Sequence, residues 1–536
     1  MPKWGKFNRF YGITRKMIAR KRANPIGALW LMEKFQIEVF QPLPIVSYST
    51  TTSRRSTETD SQTGFKVEFY QERQRPEDTV IAHLQFHLRY EIPHFEFLSR
   101  LFSVINEAVL QEWVNSEPTG KYARRAAFLY EFFTEKNLTA PENLAGNYID
   151  AINSKKLVTA SKHKIEKNQK WRVNNNLAGN RDFCPILIKT EKLIEAISVD
   201  VKTLLDELNN EVGEDTLLRS AGWFTLGESR ASFKIEGETD KSTRIQRFAD
   251  VIERFTGKME LPLDLALLQK EILGTQTAIT QFGLRQSPVF IGQIRRFQEI
   301  VHYIAPPFQT LQQKLDGLDL FWQKTEGQSP ILRSAAIAFA FVYIHPLADG
   351  NGRLHRFLFN DLLRRDNATY DPIILPISGV ISGNEQEKIA YANILEQVSK
   401  LVMHCLSEHY RFSKKEQKYS DGIQSNFEVE HSQLAEPIWQ YPDLTQHILY
   451  FSELVKKTIT VYMRNESYYL NSYEQAKSAL TELIEMPNHY VDRIIRSIQE
   501  NNGKLTNKLA KDYPFLKDEQ LWQQMVEVVK EAFQKR

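Results

Sequence analysis

The sequence predicts a mainly α-helical protein, and three observations carry that expectation. Apolar residues recur at helical spacing in Tyr122–Phe133 (YARRAAFLYEFF), where Tyr122, Ala126, Leu129 and Phe133 share one face. The same period returns near the carboxyl end in Leu449–Tyr462 and Leu521–Phe533. Strand-like composition is clearest at one place. Ser287–Ile291 (SPVFI) and Val301–Ile304 (VHYI) are β-branched and aromatic runs flanking Gly292, and Pro306 and Pro307 end the second, so a short hairpin is expected there.

At 536 residues the chain is too long for one core. The expected organisation has five parts. Residues 1–64 form a basic arm followed by a flexible Ser/Thr-rich segment, because Ser47–Ser61 (SYSTTTSRRSTETDS) offers little apolar surface to bury. Residues 65–213 form a helical amino-terminal domain, and 214–412 a core holding every chemistry-bearing motif. The polar stretch 413–433 reads as a linker before a helical domain over 434–536. No repeat at a period of 20 to 50 residues is found, which argues against a solenoid.

The arm carries Lys3, Lys6, Arg9, Arg15, Lys16, Arg20, Lys21 and Arg22 without an acid, and these exceed the net charge of +3, so the remainder is net acidic. Such an arm suits contact with nucleic acid or an anionic membrane surface, or stays a solvated tail. The longest apolar run, Ala335–Ile344, is ten residues, far below a bilayer span, and reads as a buried helix. No secretory pattern opens the sequence, and Cys184 and Cys405 are too far apart in sequence to suggest a disulfide framework. A cytoplasmic location is therefore expected.

The densest signal is His345–Arg356 (HPLADGNGRLHR), between that apolar run and an amphipathic stretch with Leu354, Phe357, Leu358 and Leu362 on one face. Gly350, Asn351 and Gly352 allow a turn whose backbone N–H groups converge as the next helix begins, an anion site. Arg353 and Arg356, spaced i, i+3, sit where the helix dipole disfavours cations unless an anion lies near. Asp349 offers a hard oxygen to Mg²⁺, and His345 can serve as general base near neutral pH. The parts describe phosphoryl or nucleotidyl transfer. A zinc site from His345, Asp349 and His355 remains an alternative.

HPLADGNGRLHR resembles the signature of the Fic family, H-P-F-x-[DE]-G-N-G-R-x-x-R, departing only at Leu347. The resemblance implies a helical core with a β-hairpin flap and the transfer of AMP from Mg-ATP to a Tyr, Thr or Ser hydroxyl of a target protein, self-modification included. By the same likeness His345 takes the hydroxyl proton and Asp349 binds Mg²⁺. Gly350, Asn351 and Gly352 hold the α- and β-phosphates, and Arg353 and Arg356 engage the triphosphate. Pro288, Val289, Phe290 and Ile291 resemble the flap that registers the target by strand addition. Ser378 and Tyr391 with Leu395 resemble the base-lining region, although the family's double tyrosine is absent.

Upstream, Ser229–Glu238 (SRASFKIEGE) predicts a helix with Ser232 and Glu236 one turn apart and Gly237 as its stop. This resembles the Fic inhibitory motif [ST]-x-x-x-E-[GN], which implies that Glu236 pairs with Arg356 in place of the γ-phosphate. Another nucleotide donor or AMP removal stays open as alternative chemistry. Near the carboxyl end, Asp492–Leu516 is compatible with a helix-turn-helix bearing Lys504, Lys508 and Lys511, so a DNA-binding regulator is a further alternative to a plain helical hairpin.

Overall fold

In the computed structural model, which describes residues 23–51, 54–59, 66–238, 242–295 and 298–534, order begins well before Phe65. The basic arm lies outside the described residues. Strand β1 (Asn24–Ile26) leads into a helix, Ala28–Phe35, that buries Ala28, Leu29, Leu31 and Met32. Gly27 joins the two at φ 63°, and a Cβ there would meet the Glu91 carboxylate at 2.6 Å, so only glycine fits.

Strands β2 (Ile45–Thr50), β3 (Ser56–Thr59) and β4 (Lys66–Gln71) complete a sheet of order β1-β2-β4-β3 in which β2 and β4 run parallel. The Ser/Thr-rich segment expected to be flexible thus contributes two strands. Val46 and Tyr48 alternate inward beside Val67 and Phe69, while Ser47, Ser49 and Thr50 are small or β-branched enough to be buried too. Polarity alone did not distinguish a hydroxyl-rich strand from a linker.

The chain divides into two compact units. The first gathers residues up to Val199, Lys258–Leu362 and Ile389–Ser452. Its amino-terminal core surrounds the helices Phe95–Val104, Glu107–Ser116 and Lys121–Thr134, with Phe95, Phe102, Trp113, Leu129 and Trp171 buried. The anticipated face of the Lys121–Thr134 helix holds: Ala126, Leu129 and Phe133 are buried and Tyr122 is partly so. A small sheet β5 (Ile149–Asp150), β6 (Glu166–Asn168) and β7 (Val173–Asn175), ordered β5-β7-β6, closes this region.

The same unit contains the buried helix Pro330–Ile344 and the hairpin β8 (Phe290–Arg295) and β9 (Gln298–Ile304), longer than the sequence suggested. The stretch 413–433, expected to be a linker, forms most of a second antiparallel hairpin, β10 (Tyr410–Lys418) and β11 (Gln424–Val429). Its register sets Phe412 opposite Phe427, and the turn passes through Gly422 at φ 93°. Lys414, Lys415 and Lys418 lie on its exposed positions.

The second unit comprises Asp200–Gly257, Leu363–Lys388 and the chain from Glu453. The 22-residue helix Glu214–Ile235 buries Phe224, Glu228, Ser229 and Ser232. Glu228 accepts hydrogen bonds from the N–H and hydroxyl of Ser378, at 2.7 and 2.5 Å. The carboxyl-terminal core joins Val491, Ile494, Ile495 and Ile498 of helix Asn488–Glu500 to Trp522, Met525, Val526 and Val529 of helix Glu519–Gln534. No described helix is long and apolar enough to cross a membrane.

Glu96, fully buried, ties the amino-terminal segment of the first unit together. Its carboxylate accepts the N–H groups of Phe40 and Gln41 at 2.9 Å each and Nε of Arg100 at 3.0 Å. Glu96→Ala leaves these donors buried without their acceptor and is expected to cost about 3–5 kcal/mol. Thermal unfolding should show the first unit's transition falling by several degrees. Glu96→Gln, which keeps an acceptor, should lose less.

Candidate active site

The helix Pro330–Ile344 begins with proline at its first turn, where a missing N–H costs nothing, and every residue from Ile331 to Ile344 is buried. It ends on His345, in the left-handed conformation at φ 51°, ψ 56°. A residue with a Cβ adopts that conformation only when surrounding contacts hold it. Here the His345 N–H bonds the Phe341 carbonyl at 2.9 Å, and the His345 carbonyl accepts Nε of Arg285 at 2.8 Å. Leu284 pairs with Leu347 as an isolated antiparallel bridge, and the N–H of Arg285 donates to the Pro346 carbonyl at 2.9 Å. The loop after His345 is therefore backed by an extended segment from 60 residues upstream.

The ring of His345 is oriented by its own helix. Its Nδ1 lies 3.1 Å from the Val342 carbonyl, which can only accept, so Nδ1 carries the proton and Nε2 is left as the basic nitrogen. Burial, followed by the positive charge of Arg285, lowers the His345 pKa to about 4, against the weaker opposing bond to Val342. At neutral pH the ring is uncharged and able to accept a proton.

Asn351 shapes the loop. Its side-chain oxygen accepts the N–H of Leu347 at 3.0 Å and its amide donates to the Leu347 carbonyl at 2.7 Å, closing a four-residue staple. The sequence resemblance assigned Asn351 to the phosphates; in the structure its carboxamide bonds the loop backbone at Leu347. Gly350 precedes the helix Asn351–Arg365 at φ 92°, the conformation anticipated for the turn. Arg353 and Arg356 are both buried on that helix, at 2% and 3% exposure, where screening by water is weak and attraction for an anion strong.

The Asp349 side chain is 58% exposed. Its Oδ1 accepts the Gly350 N–H at 2.6 Å and lies 3.4 Å from Nη2 of Arg353. Among the described residues no cluster of three or more His, Cys, Asp or Glu forms a protein-only metal site. One exposed carboxylate beside an anion turn suits Mg²⁺, which takes one or two protein carboxylates and completes its shell with phosphates and water. The zinc alternative fails at His355, which is buried against Phe339 and Phe359 with Nδ1 donating to the Ala338 carbonyl at 2.7 Å.

The hairpin β8–β9 stands at the ends of the Arg285 segment. Val289 and Phe290 are partly buried and Ile291 is 41% exposed, and a bulge at Ile291–Gly292 bends β8. Pro288 lies just ahead of the strand. Tyr391 is buried beside His355 and Tyr450 in the first unit. Ser378 belongs to the second unit and gives both its polar groups to Glu228, so nothing in its bonding assigns it to a base pocket.

Two residues that sequence reasoning missed hold the site. Arg285 is one. Gln269 is the other, its amide donating to the Asp349 carbonyl at 2.9 Å and its oxygen accepting the Gly283 N–H at 2.8 Å. Neither lies in a local motif, and each acts on a loop 60 to 80 residues away.

Residues 264–363 match the Fic/DOC family model. These residues are a Fic domain. Protein adenylyltransferase fic-1 of Caenorhabditis briggsae is 30% identical over 115 residues, 21% of this chain and 21% of that protein. Protein adenylyltransferase Fic of Drosophila virilis is 33% identical over 127 residues, 22% and 23% respectively. The chain thus spans about a fifth of the length of these curated relatives. A crystal structure of a Fic family protein from Desulfovibrio desulfuricans G20 matches with a TM-score of 0.35 at 18% identity, over 60% of this chain and 90% of that one.

The segment with the inhibitory pattern lies outside the Fic domain, in the second unit. Helix Glu214–Ile235 runs through Ser232, which is fully buried, and is capped at Glu236. Gly237, at φ 76°, donates to Lys234 and Glu238 donates back to Phe233, the bonding that ends a helix on glycine. The stop foreseen at Gly237 is present, and Glu236 is exposed at the tip. At the carboxyl end, helices Asn488–Glu500 and Asn507–Asp512 flank a turn; Lys504 of the turn and Lys508 and Lys511 of the second helix are exposed, but that helix has only six residues. The exposed positions of the following helix include Glu519, Glu527 and Glu531, an acidic composition unlike a phosphate-binding face.

Burial lowers five histidines of the first unit: His83 and His345 to about 4, and His94, His355 and His447 to about 3. A depressed folded pKa means the unfolded chain binds protons first as pH falls. The stability contribution is complete above about pH 6.5 and is lost between there and pH 4 to 3. Urea unfolding of the first unit should weaken by up to about 1.4 kcal/mol per histidine for each pH unit below about 6. A midpoint unchanged from pH 7.5 to 5 would contradict the burial of these neutral rings.

Proposed function

We propose that this chain is a protein adenylyltransferase that transfers AMP from Mg-ATP to a Tyr, Thr or Ser hydroxyl of a target protein and is restrained by Glu236. The observation that carries the reading is the fixed tautomer of His345, whose unprotonated Nε2 belongs to a loop ending in the glycine turn that opens helix Asn351–Arg365. The homologous region of the relatives named protein adenylyltransferase supports the same chemistry.

In this reading the triphosphate rests on the N–H groups at Gly350–Gly352, with Arg353 and Arg356 drawing on its oxygens. Asp349 would hold Mg²⁺, which when bound would supply positive charge to offset that of the phosphates. Nε2 of His345 removes the proton as the target hydroxyl oxygen attacks the α-phosphorus, and pyrophosphate carries away the displaced bond. Pro288–Ile291 and the outer edge of β8 take the target segment by strand addition. Tyr391 remains the candidate for the base pocket.

Glu236 resembles the family's inhibitory carboxylate, and its place at a glycine-ended helix tip presents the charge at an exposed position. Competition with the γ-phosphate would leave ATP misaligned, and about 1 Å of misplacement costs on the order of 100-fold in rate. The buried, unpaired Cys184 and Cys405 agree with a reducing cytoplasm.

Incubation with labelled ATP, UTP, GTP and CTP, read as self-labelling and labelling of lysate proteins, tests the donor. Glu236→Gly is expected to raise AMP transfer by at least about tenfold, equivalent to about 1.4 kcal/mol of barrier. His345→Ala in that background should abolish transfer while ATP binding changes little, since the imidazole serves the hydroxyl. Asp349→Ala should also be inactive at any ATP concentration. Transfer that persists without His345, or in EDTA, would overturn the mechanism; an unchanged rate in Glu236→Gly would place regulation elsewhere.

A further inference from the structure

The β10–β11 hairpin lies outside the Fic domain match, beginning 47 residues after its end at residue 363, yet in the folded chain it packs onto the flap. Phe290 of β8 packs on the cross-strand pair Phe412 and Phe427, with ring centroids 5.3 and 4.7 Å away. At the other end of the hairpin the turn Ser420–Gly422 closes on the segment entering the flap. The Asp421 carbonyl accepts the Thr280 N–H at 2.9 Å, and a Cβ on Gly422 would meet the Ala278 carbonyl at 2.8 Å.

Asp421 itself is fully buried. Its Oδ2 accepts the Gln286 N–H and the Ser287 hydroxyl, both at 2.7 Å, while Oδ1 accepts the N–H of Ile423 in its own turn at 3.2 Å. Ser287 is also a partner of Arg285, whose Nη1 donates to the Ser287 carbonyl at 2.8 Å; Nη2 donates to the Pro306 carbonyl at 2.6 Å and Nε to the His345 carbonyl at 2.8 Å. Three short links thus connect the carboxylate in a distant turn to the backbone of the proposed base through the entering end of the flap, and a fourth, from Arg285 to Pro306, ties in its far end.

We propose that the β10–β11 hairpin is a strut that pre-orders the flap for an extended target segment, and that Asp421 is the positioning residue anchoring it. The proposal rests on the AMP-transfer reading for its kinetic consequence. Its physical basis is that a two-stranded ribbon alone is marginally stable in water, whereas β8–β9 must offer an ordered edge to an incoming strand. Backing of Phe290 by two aromatic rings and of the segment entering β8 by a buried carboxylate lowers the ordering cost that docking would otherwise carry. Asp421 touches neither nucleotide nor reacting hydroxyl, so its loss should act on protein substrate and spare ATP.

The test uses the full chain carrying Glu236→Gly, with and without Asp421→Ala. Amide hydrogen exchange of the β8 and β9 peptides is expected to quicken by about tenfold or more in Asp421→Ala. KM for the protein target should rise by a similar factor, and the Kd of Mg-ATP measured without target should stay within about twofold. Asp421→Asn keeps an acceptor oxygen and should recover part of both losses. Flap exchange equal to wild type, or a loss confined to kcat with KM unchanged, overturns the proposal. Should Asp421→Ala fail to fold, Ser287→Ala removes one bond of the same relay, and Ser287→Thr restores the hydroxyl; the exchange readout then decides. A chain that transfers no AMP would defeat the proposed function, while hydrogen exchange would still judge the strut.

Discussion

One guanidinium, buried at Arg285, donates to three carbonyls from segments that are remote in sequence: His345 at the end of the central helix, Ser287 before the flap and Pro306 after it. Burial lowers its pKa only to about 10, so the charge persists at neutral pH. A planar fork satisfies three backbone acceptors at once, a geometry that a lysine ammonium cannot copy. Remove the fork and the left-handed His345 loses the bond to its carbonyl, both flap termini lose their anchor, and the pairing of Leu284 with Leu347 has less to hold it in register. The position of the His345 backbone and the position of the two ends of the β8–β9 hairpin are thereby one variable.

Much of this site was legible in the sequence because its chemistry is contiguous. The ten apolar residues before His345 could only be a buried helix, and Gly350–Gly352 announced a turn that opens another. Gly237 marked the end of the Glu214–Ile235 helix by the same local logic. What escaped was set by distance. Arg285 and Gln269 act through carbonyls 60 and 80 residues away, and a backbone acceptor leaves no trace in the sequence that supplies it. Asn351 illustrates a subtler limit: its presence in the loop was plain, but whether its carboxamide faces ligand or backbone depends on how tightly the loop closes.

The segment expected to be flexible and the one expected to be a linker were misread for one cause. Both 47–61 and 413–433 are rich in polar residues, and low hydrophobicity is a sound sign of disorder only when no neighbour offers a surface. Tyr48 finds Phe69, and Phe427 finds Phe290 and Phe412. A strand needs few apolar residues if alternate positions are enough to meet a partner, so its pairing energy is invisible until the partner is known. Helices in this chain carried their evidence within one periodic run, and were correspondingly easier to foresee.

Gln41 shows what such long-range closure means for the making of the protein. Its side chain donates to the Tyr441 carbonyl at 2.9 Å and accepts the Asp443 N–H at 2.8 Å, 400 and 402 residues along the chain. Phe95 and Phe133 pack edge-on against the Tyr441 ring in the same place. A ribosome adding roughly 5–20 residues per second needs roughly 20–80 s to travel from the first partner to the second. Throughout that interval the amino-terminal layer has an uncovered aromatic face and an unanswered carboxamide. The nascent chain must therefore wait, shielded or at risk of aggregation, for a segment translated long after the Fic loop itself has emerged.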